Sequence, residues 1–261
     1  MTTAVDLGIT AIDTSTNYFG FQAHNALADV AGDLLPNFTV STKVGYFPAE
    51  GTSEHSLDPD RLRGAIAGAV RDLGREPDLV FLHNPEHSLA QAAERSAPNL
   101  LGDACSVLVD ATARGLCGSW GISSWDPRPL AELQSREYPR PDVLMLRAGL
   151  LVGAEVLRAG DTLASRMGAA EVWGMSPFAG DTRDPVWEKF DPRLFLRAPE
   201  QASWAQAAFR VAFHLPEAAK MAVSSNNAEH LSELVESLAH EVDSTAVTEY
   251  RRLLTIVSQK D

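Results

Sequence analysis

The chain has 261 residues, a length that suits one eight-unit α/β barrel as well as two smaller domains. Its formal net charge of −13 at pH 7 argues against nucleic acid as a partner, because binding phosphates requires a basic surface. With two cysteines, no signal-peptide pattern and no apolar run near ~20 residues, the sequence predicts a cytoplasmic protein without a disulfide framework or a membrane span.

The first predicted strand is the apolar run of residues 9–12, which ends at Asp13 and is followed in the next loop by Tyr18. Two later predicted strands also end in ionisable residues, one at Lys43 and one at His83. Parallel sheets gather the carboxyl ends of their strands at one edge. We therefore expect these four side chains to converge.

Amphipathic helices are predicted between the strands. The clearest begins at Asp58, which is followed by a proline at the first helical position and by Leu62 and Ile66 on one face. Others are expected after Asp126, Asn226 and Ser244, and the apolar faces of the last two are expected to bury Leu238 and Val257. The predicted strands end near Thr14, Val44, His83, Ser123, Arg147, Ser176 and Ser224. Seven strands alternating with helices predict a parallel sheet close to a barrel.

Four motifs together resemble the aldo-keto reductase superfamily. In chain order they are Leu-Gly-Ile-Thr-Ala-Ile-Asp13-Thr-Ser-Thr-Asn-Tyr18, Ser-Thr-Lys43-Val-Gly, Leu-His83-Asn-Pro and Gly-Ile-Ser123-Ser. The resemblance extends from about Asp6 to the helix at Asn226, nearly the whole chain. It implies a TIM-type (β/α)8 barrel, a single domain over residues 1–261, which binds NADPH at the carboxyl ends of its strands.

The resemblance also implies a catalytic tetrad of Asp13, Tyr18, Lys43 and His83, which reduces a small-molecule carbonyl with NAD(P)H. Hydride transfer to a carbonyl requires a proton for the developing alkoxide, and Tyr18 is the implied donor. A nearby lysine ammonium favours the phenolate, and a paired aspartate fixes the lysine in place. The histidine is expected to donate to the carbonyl oxygen and to orient the substrate.

The resemblance also implies cofactor contacts at Ser123, Ser124, Met175, Ser176, Ser224, Ser225, Asn227 and His230. Ser123 matches the family pattern, but several of the other positions depart from it. Ser124 replaces an asparagine that holds the nicotinamide amide, Met175 replaces a stacking aromatic ring, and His230 stands where many members have an arginine. Losing two charge-assisted contacts and one stack removes at least about 3.5 kcal/mol of binding, so NADPH or NADH is expected to bind weakly or not at all.

The chain begins only a few residues before Leu7, whereas family members have a longer segment there that includes the first barrel strand. Two interpretations stay open: either the start of the chain is wrongly assigned, or the barrel is one whose first strand is absent or replaced. Unpaired strand edges favour association, so an N-terminal segment or a partner chain in a homo-oligomer is expected to cover them.

Two alternatives to a reductase stay open. The same four residues suit a non-redox enzyme, such as a dehydratase or isomerase acting beside a carbonyl, and the chain can also be a catalytically inactive remnant. A further motif, His83-x-x-Glu86-His87, matches the H-x-x-E-H pattern of zinc peptidases. That chemistry needs both histidines on one helical face, whereas His83 ends a predicted strand, so no metal site is expected.

Overall fold

The computed structural model describes residues 1–93, 96–133 and 138–258. The chain divides into two compact units. The first comprises Met1–Leu144 and Ser165–Ala170, and the second comprises Met145–Ala164 and Glu171–Asp261. The predicted single domain over residues 1–261 stays a prediction.

Nine strands occur in the part of the chain that the structure describes. They are β1 (Ala11–Asp13), β2 (Thr39–Val44), β3 (Tyr46–Ala49), β4 (Thr52–His55), β5 (Leu79–His83), β6 (Ser119–Ser124), β7 (Val143–Arg147), β8 (Glu171–Met175) and β9 (Lys220–Ala222). Seven of them share one sheet in the order β1-β2-β5-β6-β7-β8-β9, while β3 and β4 form a separate antiparallel hairpin. In the first unit β1, β2, β5 and β6 are parallel neighbours, and in the second unit β8 and β9 are parallel.

Ten α-helices connect the strands of the described residues. They are α1 (Thr2–Asp6), α2 (Ala23–Ala31), α3 (Pro59–Leu73), α4 (Glu86–Leu89), α5 (Ala97–Ala113), α6 (Arg128–Glu132), α7 (Ala154–Met167), α8 (Trp204–Ala212), α9 (Ala228–Glu236) and α10 (Ser244–Val257). None of the helices in the described ranges is both long enough and apolar enough to cross a membrane.

The start of α3 shows how local sequence specifies an element. The Asp58 carboxylate accepts hydrogen bonds from the backbone N–H groups of Asp60 and Arg61, and so satisfies donors that a helix leaves free. Leu62 and Ile66 are buried on its inner face, as predicted.

Several predicted boundaries need correction. β9 ends at Ala222 rather than near Ser224, and Pro127 rather than Asp126 occupies the N-cap of α6. Leu238 is 49% exposed because α9 ends at Glu236 and a 3-10 turn follows. Val257, the last residue of α10, is 61% exposed because no later residue of the helix extends its packed face. Leu238 and Val257 both fit the helical spacing of the buried residues. Spacing alone, however, does not show at which residue a helix ceases to be covered by the rest of the protein.

The N-terminal segment packs against the core of the first unit. Ala4 and Val5 of α1, together with Ile12 of β1, contact a buried cluster that contains Phe38 and Val40. Burying these apolar side chains stabilises the position of β1, the strand that ends at Asp13. The expected homo-oligomer stays a prediction.

Candidate active site

The deepest part of the site is the ion pair between Lys43 and Asp13. Asp13 lies opposite Ser41 in the parallel pairing of β1 and β2, and Lys43 is two residues beyond Ser41 on the same face. The Lys43 ammonium donates to one Asp13 carboxylate oxygen and to the Thr14 carbonyl at 3.0 Å. Ser41 Oγ donates to the other carboxylate oxygen at 2.8 Å. Lys43 is only 1% exposed, and these acceptors compensate for the loss of hydration.

Tyr18 lies at the surface of this arrangement. Its side chain is 43% exposed, whereas Lys43 and His83 are both buried. The Lys43 Nζ atom lies 5.2 Å from the centroid of the Tyr18 ring. The Tyr18 side chain is therefore the member of the predicted tetrad that is most accessible to a small molecule, and the Lys43 ammonium lies beside its ring.

His83 ends β5 and is 7% exposed. Its ring packs edge-on against Tyr18, with 6.2 Å between the ring centroids, and its Nδ1 atom is 3.1 Å from Ser15 Oγ. The pKa of His83 falls from 6.5 to about 3, chiefly because burial penalises the charged ring, with the Lys43 charge the next cause. The imidazole is therefore neutral at physiological pH.

The hairpin of β3 and β4 contributes two residues that sequence reasoning missed, Tyr46 and His55. The Tyr46 ring packs edge-on against His83 at 4.9 Å and against His55 at 4.8 Å. His55 Nε2 lies 2.7 Å from the His83 carbonyl oxygen, and its Nδ1 lies 2.7 Å from Ser88 Oγ. The sequence did contain a pattern that indicates the hairpin: two residues ending in Gly51 separate the segments that form β3 and β4.

Gly45 allows this hairpin to approach the end of β5. Its φ of 143° lies in a region that L-residues rarely adopt, and a Cβ atom there would lie 3.0 Å from both His55 Nε2 and the His83 carbonyl oxygen. Only a residue without a side chain lets the His55 ring reach the His83 backbone.

The predicted cofactor positions of the first unit lie beside the tetrad. Ser123 and Ser124 end β6, are fully buried, and Ser123 is in register with His83. Among the buried polar atoms in this part of the unit, Asn84 Oδ1 has no hydrogen-bond partner within the described residues. Burial raises the pKa of Glu86, and an interaction of its carboxylate with the Ser124 hydroxyl opposes that shift. Buried polar atoms without partners mark places where a ligand or water is needed.

The remaining cofactor positions belong to the second unit. Met175 ends β8, and Ser176 follows it with a φ of 57°. Ser225 Oγ accepts a hydrogen bond from the Asn227 backbone at 3.1 Å, and the Asn227 side chain caps α9 by accepting from the Glu229 N–H at 2.9 Å. These two side chains are thus already committed to a helix cap.

Charge in this part of the second unit is unfavourable for an anion. Ser224 and His230 are exposed, and residues 221–250 contain no lysine or arginine but six acidic residues. Residues 221–250 therefore contain none of the lysines or arginines that a bound phosphate would favour.

The zinc-like pattern is divided between two elements. His83 belongs to β5, whereas Glu86 and His87 lie on the four-residue helix α4. The Glu86 carboxylate accepts hydrogen bonds from the N–H groups of Trp125 and Asp126 at 2.8 and 2.9 Å. The described residues hold no group of three or more His, Cys, Asp or Glu side chains placed to bind a metal ion.

Comparisons with known proteins place this geometry in context. The model of a family described as the aldo/keto reductase family matches residues 1–159. No curated protein matches the chain at a significant level.

Solved structures show the fold. The aldo-keto reductase AKR11C1 from Bacillus halodurans, in its holo form, is 15% identical, with a TM-score of 0.73 over 97% of this chain and 85% of that one. The glycerol dehydrogenase AKR11B4 from Gluconobacter oxydans is 16% identical, with a TM-score of 0.73 over 95% and 83% of the two chains. An aldo/keto reductase from Klebsiella pneumoniae, in complex with NADP and acetate, is 16% identical, with a TM-score of 0.68 over 97% and 82%. The predicted TIM-type (β/α)8 fold is confirmed, with seven strands of its sheet present in the described residues.

Proposed function

The chain belongs to the aldo/keto reductase family, and on this basis we propose that it reduces the carbonyl group of a small molecule with a nicotinamide cofactor. The observation that carries the proposal is the buried Lys43–Asp13 ion pair beside the exposed ring of Tyr18. A buried ammonium has a large desolvation cost, and a fold retains one most readily where the charge serves chemistry.

In the proposed reaction Tyr18 protonates the oxygen of the substrate as the carbonyl becomes an alkoxide. The Lys43 ammonium stabilises the phenolate that remains, because an opposite charge nearby favours the ionised form. Asp13 holds the ammonium in position, and Ser41 in turn holds Asp13. The neutral His83 lies beside Tyr18 and orients the bound molecule.

The residues beside the tetrad fit the nicotinamide end of such a cofactor. A nicotinamide carboxamide carries both a donor and an acceptor, and the buried Ser124 hydroxyl and the buried Asn84 and Glu86 oxygens offer complementary groups. We propose that Ser123 and Ser124 hold this amide. The cofactor supplies the hydride when bound there, as the complex of the Klebsiella pneumoniae relative with NADP supports.

The residues proposed to contact the phosphate of the cofactor are less suited to it. We therefore propose that the protein binds NADPH weakly and discriminates little between NADPH and NADH. The proposed contacts are those of Met175 and Ser176 with the nicotinamide ring, and of Ser224, Ser225, Asn227 and His230 with the phosphate. Of the last four, Ser225 and Asn227 already serve the α9 cap, and no cation accompanies them. Each charge-assisted hydrogen bond that is missing from a phosphate site lowers the binding free energy by about 1.5–3 kcal/mol.

The same acidic segment favours one second candidate, a non-redox enzyme that uses Tyr18 for proton transfer. In that case a dehydration or isomerisation beside a carbonyl requires the tetrad but no cofactor. The cofactor titration described next separates the two candidates.

The test is a calorimetric titration of the full chain with NADPH and NADH, followed by turnover assays with a panel of aldehydes and ketones. We expect dissociation constants for the two cofactors within about tenfold of each other, with NADPH submillimolar rather than micromolar. We also expect oxidation of the reduced cofactor by at least one carbonyl. A micromolar dissociation constant for NADPH would contradict the proposed weak binding, and the absence of both binding and turnover would overturn the redox function.

A further inference from the structure

The strand β1 forms one edge of the seven-stranded sheet, because it pairs with β2 alone among the strands of the described residues. Its hydrogen bonds to β2 involve alternate residues. The Thr14 N–H donates to the Ser41 carbonyl at 2.9 Å, and the Thr10 carbonyl accepts from the first N–H of β2 at 2.8 Å. Ala11 and Asp13 therefore direct their backbone N–H and C=O groups away from β2, where an added strand can pair with them.

The N-terminal segment covers only the beginning of this edge. The Ile9 N–H donates to the Ala4 carbonyl of α1 at 2.9 Å, so this group is already paired. All three residues of β1 are half-buried, whereas β2 is buried except for its first residue and β5 is buried throughout. Parallel strands are normally covered on both faces. The edge is therefore open from Ala11 to Asp13.

An apolar groove lies beside the open edge, within the first unit. It has a volume of about 410 Å³ and is bounded by β1, the start of the chain and one face of α2. Its lining residues Ala23, Ala26 and Val30 recur at helical spacing on α2, and Val30 is 84% exposed. Phe19, in the loop before α2, also lines the groove and is 79% exposed. Apolar side chains exposed beside an open strand edge indicate a surface that binds another segment of polypeptide.

The side chains of the segment that forms the groove carry only negative charge. Residues 1–42 contain the four aspartates Asp6, Asp13, Asp29 and Asp33, and no lysine or arginine. A second copy of the chain, as in the homo-oligomer expected from the sequence, would bring the same four carboxylates to the contact. Like charges that face each other oppose association. A partner that carries lysine or arginine beside its apolar residues is attracted instead.

We propose that β1 and this groove bind a basic, extended segment of a partner protein as an added strand. The backbone of the segment pairs with Ala11 and Asp13, and its alternate apolar side chains lie in the groove against Ala26 and Val30. The added strand also covers the Asp13 side chain, which is 21% exposed. The proposal does not depend on the proposed reductase function, because the contacts use the backbone of Asp13 rather than its chemistry.

The test is a calorimetric titration of the full chain with the synthetic peptide Lys-Val-Thr-Val-Thr-Val-Lys, acetylated and amidated at its ends. An extended chain places its three valines on one face. We expect saturable binding, and an affinity at least about tenfold lower for Glu-Val-Thr-Val-Thr-Val-Glu, because its charges repel the aspartates. A lysine peptide methylated at its backbone nitrogens should also bind at least about tenfold more weakly, because it cannot donate hydrogen bonds to a strand.

Hydrogen exchange followed by NMR locates the bound peptide. The backbone amides of Ala11 and Asp13 should exchange at least about tenfold more slowly when the lysine peptide is bound, because strand pairing protects them. Ala26→Phe fills the groove and should lower the affinity by at least about tenfold. Ala28→Phe is the matched control, because Ala28 lies on the same helix outside the groove lining.

The charge contribution is tested separately. Asp29→Asn should weaken binding of the lysine peptide about threefold, the usual size for one exposed charge pair. Asp60→Asn, on α3, should leave binding unchanged.

Four outcomes would overturn the proposal. They are the absence of binding by the lysine peptide, equal binding of the lysine and glutamate peptides, equal binding of the methylated peptide, and unchanged exchange at Ala11 and Asp13. The methylated peptide keeps the test decisive even where Ala26→Phe does not fold. Slow exchange of these two amides without peptide, together with a dimer in analytical ultracentrifugation, would show that a second copy occupies the edge, which would also overturn the proposal.

Discussion

The ends of β1, β2 and β5 in the first unit differ sharply from the Ser224–His230 segment in the second. In the first region the charged and polar groups are buried and hydrogen-bonded to one another, as Lys43 is to Asp13 and Ser41 is to Asp13. In the second region the side chains are largely exposed, and the Ser225 and Asn227 side chains serve the cap of α9. Changing a buried polar residue leaves its partners unsatisfied, whereas an exposed residue can change charge at little cost.

The difference suggests that the proposed catalytic residues and the proposed phosphate contacts are constrained differently by the fold. Removing one member of a buried hydrogen-bonded network destabilises the others. Residues of the exposed segment can change charge with little effect on the fold. The following experiments test each side of that distinction.

The largest effect is expected at Tyr18. Tyr18→Phe should lower kcat by about 10²–10⁴-fold, because it removes the proton donor and keeps the ring. Tyr46→Phe is the matched control, since Tyr46 also contacts His83 but its hydroxyl accepts only a 3.3 Å hydrogen bond from Asn84. Steady-state assays with the best carbonyl substrate measure both. Equal losses in the two variants would show that Tyr18 has no special role.

The next effect concerns the stability of the buried pair. Asp13→Asn should lower the free energy of unfolding by about 3 kcal/mol, because it leaves the Lys43 ammonium buried without its counter-ion. The Asp13→Asn/Lys43→Met double variant should recover most of that loss, although it should remain inactive. Urea denaturation measures all three chains.

The control for this experiment is the exposed ion pair between Arg61 and Glu54. Glu54→Gln should cost less than about 1 kcal/mol, because solvent screens an exposed pair. If Asp13→Asn were as mild as Glu54→Gln, the contrast between the buried and the exposed regions would fail.

A smaller effect is expected when cations are added to the exposed segment. His230→Arg and Ser224→Lys should each tighten NADPH binding by about tenfold, the low end for a charge-assisted hydrogen bond, and leave NADH binding and stability unchanged. Leu238→Lys is the control, because it adds one charge at another exposed position of the same unit. Titration calorimetry measures the affinities. An equal gain from Leu238→Lys would mean that general charge, rather than a phosphate contact, determines binding.

A separate effect is a dependence of stability on pH. Because the pKa of His83 is lowered in the folded chain, the unfolded chain binds a proton that the folded chain does not between pH 6.5 and about 3. Stability is therefore fully present above pH 6.5 and is lost as the pH falls through that range. Between pH 7 and pH 5 the loss due to His83 should be about 2 kcal/mol.

Urea denaturation at the two pH values measures this loss. His83→Gln should reduce the difference between pH 7 and pH 5 by about 2 kcal/mol, since glutamine does not titrate. The exposed His230 supplies the control, and His230→Gln should leave the difference unchanged. A pH dependence of stability that is identical in wild type and His83→Gln would show that His83 protonates normally.

The sequence was sufficient to predict elements whose signals are local. Asp58 followed by Pro59 identifies the start of α3, because an N-cap acid and an N1 proline act on the adjacent backbone. The strands that carry Lys43 and His83 were also predicted. For the strand that ends at His83 the signal is a short apolar run, which indicates a buried strand.

Contacts between residues far apart in the chain could not be predicted from the sequence. The hairpin that brings Tyr46 and His55 against His83 depends on packing at Gly45, and no local pattern indicates that contact. Leu238 matched the helical spacing of the buried residues, yet it is exposed because α9 ends two residues earlier. The spacing of apolar residues shows which face of a helix is apolar. The extent of the surface on which the helix packs decides how many of those residues are buried.

By itself, the sequence determined the alternation of strands and helices and the absence of cations from residues 221–250, because residue type and spacing act over short stretches of chain. The family resemblance of its motifs predicted the barrel and the four residues of the proposed tetrad. Tertiary structure alone decided that Lys43 is buried against Asp13, that His83 is neutral, and that Ser15 and Asn17 bond to one another and to His83. Burial and proton position depend on atoms from several strands that meet only after folding, and the free energy of a charge or a proton depends on those atoms.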